Sequence, residues 1–192
     1  MYGIIGEDRS DVDTLSVIVK RLAGNDRLPI KKKGYSGSGE LLRKGAKQLN
    51  AFAAIGCTRL IVCYDADGPE HLPRFNQLMR VVVAPSEVPE RCCAVIPVYE
   101  LEAWILADIA AVTKIFTSWL PQPISGIPET IPDPKEHLIR LSKQANGKPR
   151  YVNAIHNERV ALHLNLDTVY SRCPSFQRLA TFVKQGPPQP AP

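Results

Sequence analysis

Three short apolar runs each end on acidic residues, and segments with helical periodicity separate them. That order constrains the fold more than any other feature of this chain. Tyr2–Gly6 runs into Glu7-Asp8, Arg59–Tyr64 into Asp65-Ala66-Asp67-Gly68, and Cys92–Tyr99 into Glu100-Leu101-Glu102. Leu60-Ile61-Val62-Cys63 lacks polar alternation, as a strand covered on both faces does. Between the first two runs, Val12, Leu15, Val19 and Leu22 recur at helical spacing, behind a Ser10 or Asp11 cap and before a Gly24-Asn25 stop. Residues 40–55 and 72–82 predict further helices, and another starts over 100–108. Leu28–Lys33, with Pro29 and three lysines, suits an edge strand. Strands alternating with helices pair in parallel through right-handed crossovers. The expected fold class is α/β: a largely parallel central sheet of about four strands flanked by helices, with functional groups gathered at the carboxyl ends of the strands.

Charge and proline divide the 192 residues unevenly. Residues 1–118 carry 15 basic and 14 acidic groups, whereas 119–192 hold nine basic, five acidic and 11 of the 17 prolines. This predicts an α/β domain over 1–118, a helical extension packed on it over 119–185, and a disordered proline-rich tail over 186–192. The extension reads as helices near 134–144, 154–164 and 174–184. No apolar run is long enough for a membrane span, and the N-terminus lacks a basic leader region. Five cysteines without a C-x-x-C spacing read as free thiols, so the expected location is a reducing cytoplasm.

In a parallel sheet the three acidic clusters share one rim. Carboxylates held together repel unless a cation sits among them, and hard oxygen donors suit Mg²⁺ or Mn²⁺. Asp65 and Asp67, one residue apart at a Gly68-Pro69 turn, are placed to face one ion.

These residues resemble a known family. An early strand ending Gly6-Glu7, then a hydrophobic strand ending Asp65-x-Asp67-Gly68, is similar to the Toprim pattern of topoisomerases, primases and overcoming-lysogenization-defect nucleases. Pro97-Val98-Tyr99-Glu100-Leu101-Glu102-Ala103-Trp104-Ile105-Leu106-Ala107-Asp108 resembles the E-L-E-A-W-x-L-A-D signature of a Toprim-like bacterial family often encoded beside ATPases. Asp133-Pro134-Lys135 and Cys173-Pro174-Ser175-Phe176 match it further. The resemblance implies a Toprim-like fold. It implies catalytic roles for Glu7, Asp65, Asp67 and Glu102, and metal binding by Glu7, Asp65, Asp67, Glu100 and Glu102. Glu100 is equally placed to cap the following helix.

Basic residues supply expected nucleic-acid contacts: Lys31, Lys32 and Lys33 before a glycine-serine loop, and Lys143, Lys148 and Arg150 around Asn146-Gly147. The lysine run is equally explained as a guarded sheet edge. Trp104 reads as core, and His156 and His163 lack a carboxylate to complete a zinc site. The expected function is a Mg²⁺-dependent nuclease, a hydrolase of phosphodiester bonds. By resemblance it is the effector of a bacterial anti-phage defence system acting with an ATPase. Nucleic acid, an ATPase subunit and a second copy of the chain are the expected partners. The alternative is a non-catalytic Toprim-like module that binds an ATPase or nucleic acid.

Overall fold

The computed structural model describes residues 1–185, so the expectation for the tail at 186–192 lies outside the described residues. Four parallel strands form one sheet in the order β2-β1-β3-β4: β1 (Tyr2–Gly6), β2 (Ile30–Gly34), β3 (Arg59–Cys63) and β4 (Cys92–Val95). Helices α1 (Arg9–Leu22), α2 (Ser38–Ala54) and α3 (Leu72–Leu78) follow the first three strands. After β4 come α4 (Glu102–Ala107), α5 (Pro134–Leu141), α6 (Asn153–Ala161), α7 (Leu166–Arg172) and α8 (Pro174–Gln185). The α/β class and the parallel sheet expected from the alternating pattern are present, and the lysine-bearing β2 is an outer strand.

Both sheet faces are covered, which is why β1 and β3 are almost wholly apolar. One face packs under α2 and α3 through Ile5, Leu41, Leu49, Leu60, Val62 and Val82. The other packs under α1 and the helices after β4, through Ile4, Leu15, Ile18, Ile61, Trp104 and Phe176. Trp104 is fully buried, meets Phe176 edge-on at 5.1 Å between ring centres, and donates from Nε1 to Ser175 Oγ at 2.8 Å. That contact ties α4 to α8 across residue 118.

Three segments differ from the sequence expectation. β4 stops at Val95, because Pro97 has no N–H to continue the ladder. Residues 97–99 instead meet the β3 exit through Ala66 N–H to Pro97 O and Asp67 N–H to Tyr99 O, each 3.0 Å. α3 gives way at Met79 to a wide π-type turn over Met79–Val83. α7 was not anticipated; Asn165 starts it, accepting from the Asp167 and Thr168 N–H groups at 3.1 and 3.0 Å.

One glycine fixes how α1 begins. A Cβ on Gly34 would stand 2.5 Å from Arg9 N and 2.6 Å from Asp8 C, so only glycine lets the β1–α1 loop cross the end of β2. There Asp8 caps α1, its Oδ1 accepting from Asp11 N–H at 2.9 Å. Gly34→Ala is expected to lower the unfolding free energy by about 1–3 kcal/mol in urea denaturation. An unchanged midpoint would contradict this tight crossing.

Candidate active site

The carboxyl ends of β1, β3 and β4 lie on one rim, as parallel pairing requires. A cleft of about 240 Å³ opens there, lined on its acidic side by Asp8, Asp11, Asp65, Glu100 and Glu102. Lys135, Ser10 and Asn153 close it from α1, α5 and α6.

Each acid is held differently. Glu7, at the β1 exit, accepts the Asp65 N–H at 3.0 Å, so the first and third strand ends are joined directly. Burial pushes the Glu7 carboxyl up to about 7, with Asp67 and Asp8 adding repulsion against the opposing pull of the Asp65 N–H and Arg74. Asp65 is half-buried as a residue, but its Oδ1 is sealed from solvent and receives no hydrogen bond. Burial, then the charges of Asp11, Glu102, Glu7 and Glu100, hold its carboxyl well above the usual range. Glu100 accepts the Lys135 N–H at 3.1 Å, and its carboxyl is raised chiefly by burial. Glu102 is only 4% exposed and accepts from Asn153 Nδ2 and, at 2.9 Å, Asn157 Nδ2. Asn157 in turn receives the Tyr151 hydroxyl at 2.8 Å. These amides on α6 clamp Glu102 in one orientation.

Asp67 does not line the cleft. It is exposed, adopts a left-handed backbone (φ 52°) and pairs with Arg74 Nη2 at 2.9 Å. Arg74 also donates to the Tyr64 hydroxyl. The expectation that Asp65 and Asp67 turn toward one point therefore gives way to a divergent pair, because the left-handed residue turns the second carboxylate outward.

Among the residues that escaped the sequence reading are two charged ones. Asp11 is buried and faces Asp65; burial, then the Asp8, Glu102 and Glu7 charges, raise its carboxyl. Its signal is periodic: positions 11, 15, 18 and 22 form one helical stripe, on which an acid stands where an apolar residue is expected. Lys135 was quoted only as part of a motif. Burial would depress its ammonium, but Glu102, Glu100, Asp8 and Asp11 more than reverse this and hold it above the ordinary value. Only the long loop before α5 brings it here, through a left-handed Asp133 (φ 48°).

None of the six basic residues expected to contact nucleic acid lines the cleft. Lys32 pairs with Asp13 at 2.6 Å, and Lys33 stands 5.5 Å from the Tyr35 ring centre. Lys143 bridges to Pro149 around an exposed turn carrying Lys148, and Arg150 donates to Ser118 Oγ at 2.9 Å.

The donor set is all hard oxygen, and the orphaned Asp65 Oδ1 among carboxylates fits a divalent cation such as Mg²⁺ or Mn²⁺. Among the described residues no three His, Cys, Asp or Glu side chains are close enough to form a finished metal cluster. Glu7, Asp11 and Asp65 bind their protons more tightly folded than unfolded, so the native state carries the extra protons. The contribution of these groups to stability is then fully present at low pH and falls as pH rises from about 4.5, the ordinary value for Glu7, through about 7. Thermal melts in chelator are expected to show that decline, and Glu7→Gln to flatten it. Asp65→Asn, which removes a sealed carboxyl set among other acids, is expected to melt no lower than wild type at pH 8; a drop of several degrees would mean that the acid is structural.

Among the described residues no helix is long and apolar enough to cross a membrane. Residues 11–184 match the family model described as "Domain of unknown function (DUF4276)", and the chain belongs to that family. Neither a curated protein nor a solved structure matches it.

Proposed function

We propose that this DUF4276 member is a Mg²⁺- or Mn²⁺-dependent phosphodiesterase that hydrolyses nucleic acid, a reading that the Toprim-like order of Glu7, Asp65 and Asp67 along the sequence supports. The observation that carries the reading is the sealed, unpartnered Asp65 Oδ1, facing the charges of Asp11, Glu102, Glu7 and Glu100. Asp65, Asp11 and Glu102 are the residues that would hold the cation, with Glu7 and Glu100 beside them. When bound, such an ion polarises a phosphoryl oxygen and lowers the pKa of water.

The chain's own groups do the rest. Lys135 is the one cation lining the cleft among the described residues, and it meets a non-bridging phosphate oxygen as a fixed positive charge. Glu7, with its carboxyl near 7, suits taking or returning a proton at neutral pH. Asn153 and Asn157 hold Glu102 against rotation. Asp67 and Arg74 form a charged pair whose two members act on Glu7 in opposite directions.

The resemblance over residues 97–108 supports a role as effector of an anti-phage system working with an ATPase subunit; the free thiols suit a cytoplasmic location, and a second copy of the chain is a further partner to test. A non-catalytic module that binds an ATPase or nucleic acid is the second reading. It requires no metal cluster, and among the described residues no three His, Cys, Asp or Glu side chains close into one.

Purified protein, alone and with an ATPase encoded beside it, is expected to cleave DNA or RNA in Mg²⁺ or Mn²⁺ and not in chelator. Asp65→Asn, Glu102→Gln and Lys135→Met should each lower the rate at least about a hundredfold. Asp67→Ala should cost less than Asp65→Asn. No cleavage under any of these conditions, or cleavage undiminished in Asp65→Asn, would defeat the phosphodiesterase reading.

A further inference from the structure

A second cavity, of about 360 Å³, lies against the outer strand β4 between α3 and α8, and shares no lining residue with the acid cleft. That volume is in the range of small-molecule sites, roughly 300–1,000 Å³. Its floor is Ala94, Ile96 and Val98, alternate residues that point to one side of β4 and its extension. Phe75 and Pro174 form walls. His71, Leu72 and Arg178 stand exposed at the mouth.

The polar groups there are unequal. Glu129, at the closed end, is committed: it accepts the Ser175 N–H at 3.2 Å and the Ser175 hydroxyl, capping the first turn of α8. Arg178 lies 4.7 Å from the Phe75 ring centre and forms no ion pair among the described residues. The cavity therefore offers an apolar slot with an uncompensated guanidinium at its mouth and an imidazole beside it. The closed end offers no positive charge to a second anionic group, because Glu129 stands there.

We propose that this cavity binds an aromatic carboxylate, its ring against Ile96, Val98 and Phe75 and its single charge on Arg178 beside His71. The site is independent of the acid cleft and of the activity proposed there. A flat ring fills the slot between Phe75 and Pro174, and the planar guanidinium offers a carboxylate two parallel N–H donors.

Calorimetric titration of the whole chain with 1-naphthoate and with its neutral analogue 1-naphthamide tests the assignment. One saturable site for naphthoate is expected, with naphthamide about tenfold weaker. Arg178→Met should erase that preference without moving the melting temperature. Val98→Trp, which fills the floor, should abolish both, and the exposed Leu72→Glu at the mouth, which leaves the core untouched, should weaken naphthoate. No saturation up to millimolar naphthoate, equal affinity for the two probes, or undiminished binding in Arg178→Met and Leu72→Glu would each overturn the proposal.

Discussion

Mutual repulsion among buried and half-buried carboxylates is the constraint around which this structure is arranged. Two like unit charges about 4 Å apart repel by about 4 kcal/mol at the dielectric of a protein surface. A whole domain is stable by only about 5–15 kcal/mol. Asp11, Asp65, Glu100 and Glu102 line one small cleft, with Glu7 joined to Asp65 at its edge. They cannot all ionise together without a compensating charge. Lys135 answers part of the deficit, and the raised Glu7, Asp11 and Asp65 carboxyls answer more by keeping protons.

The scaffold bears this cost with apolar packing on both sheet faces and with rigid supports at the rim. Gly34 admits the loop that aims Asp11 inward, and two asparagines on α6 fix Glu102. The non-glycine residues with left-handed backbone among the described ones are Asp67, Tyr99 and Asp133. Each stands within two residues of Asp65, Glu100 or Lys135. Such conformations cost on the order of 1–3 kcal/mol apiece and persist where surrounding contacts enforce them, commonly at functional sites.

Much of this was legible in the sequence, and the reasons for the rest are physical. Apolar runs ending in acids are local signals, so β1, β3, the edge position of β2 and the rim placement of Glu7, Asp65, Glu100 and Glu102 could be read directly. The outward turn of Asp67 depends on one backbone dihedral and on Arg74, which adjacent residues do not encode. Lys135, Asn153 and Asn157 reach the cleft from more than 30 residues beyond Glu102, along connections that carry no periodic signal. Asp11 was readable in principle. An acid on the stripe of Leu15, Ile18 and Leu22 is costly unless it has a purpose, but the same residue also suits a helix cap, and that local explanation obscured it. The lysines of β2 are conspicuous as a run and lie along the outer strand, where the edge-strand reading puts them, rather than in the cleft.

The central claim is that the cleft is built to hold a cation against the unpartnered oxygen of Asp65. Anomalous diffraction from crystals grown with Mn²⁺ tests it most directly. The account predicts a Mn²⁺ peak coordinated by Asp65 Oδ1, with Asp11 or Glu102 completing the protein ligands. A cleft without a peak, with the Lys135 ammonium closed onto those carboxylates in its place, would contradict it.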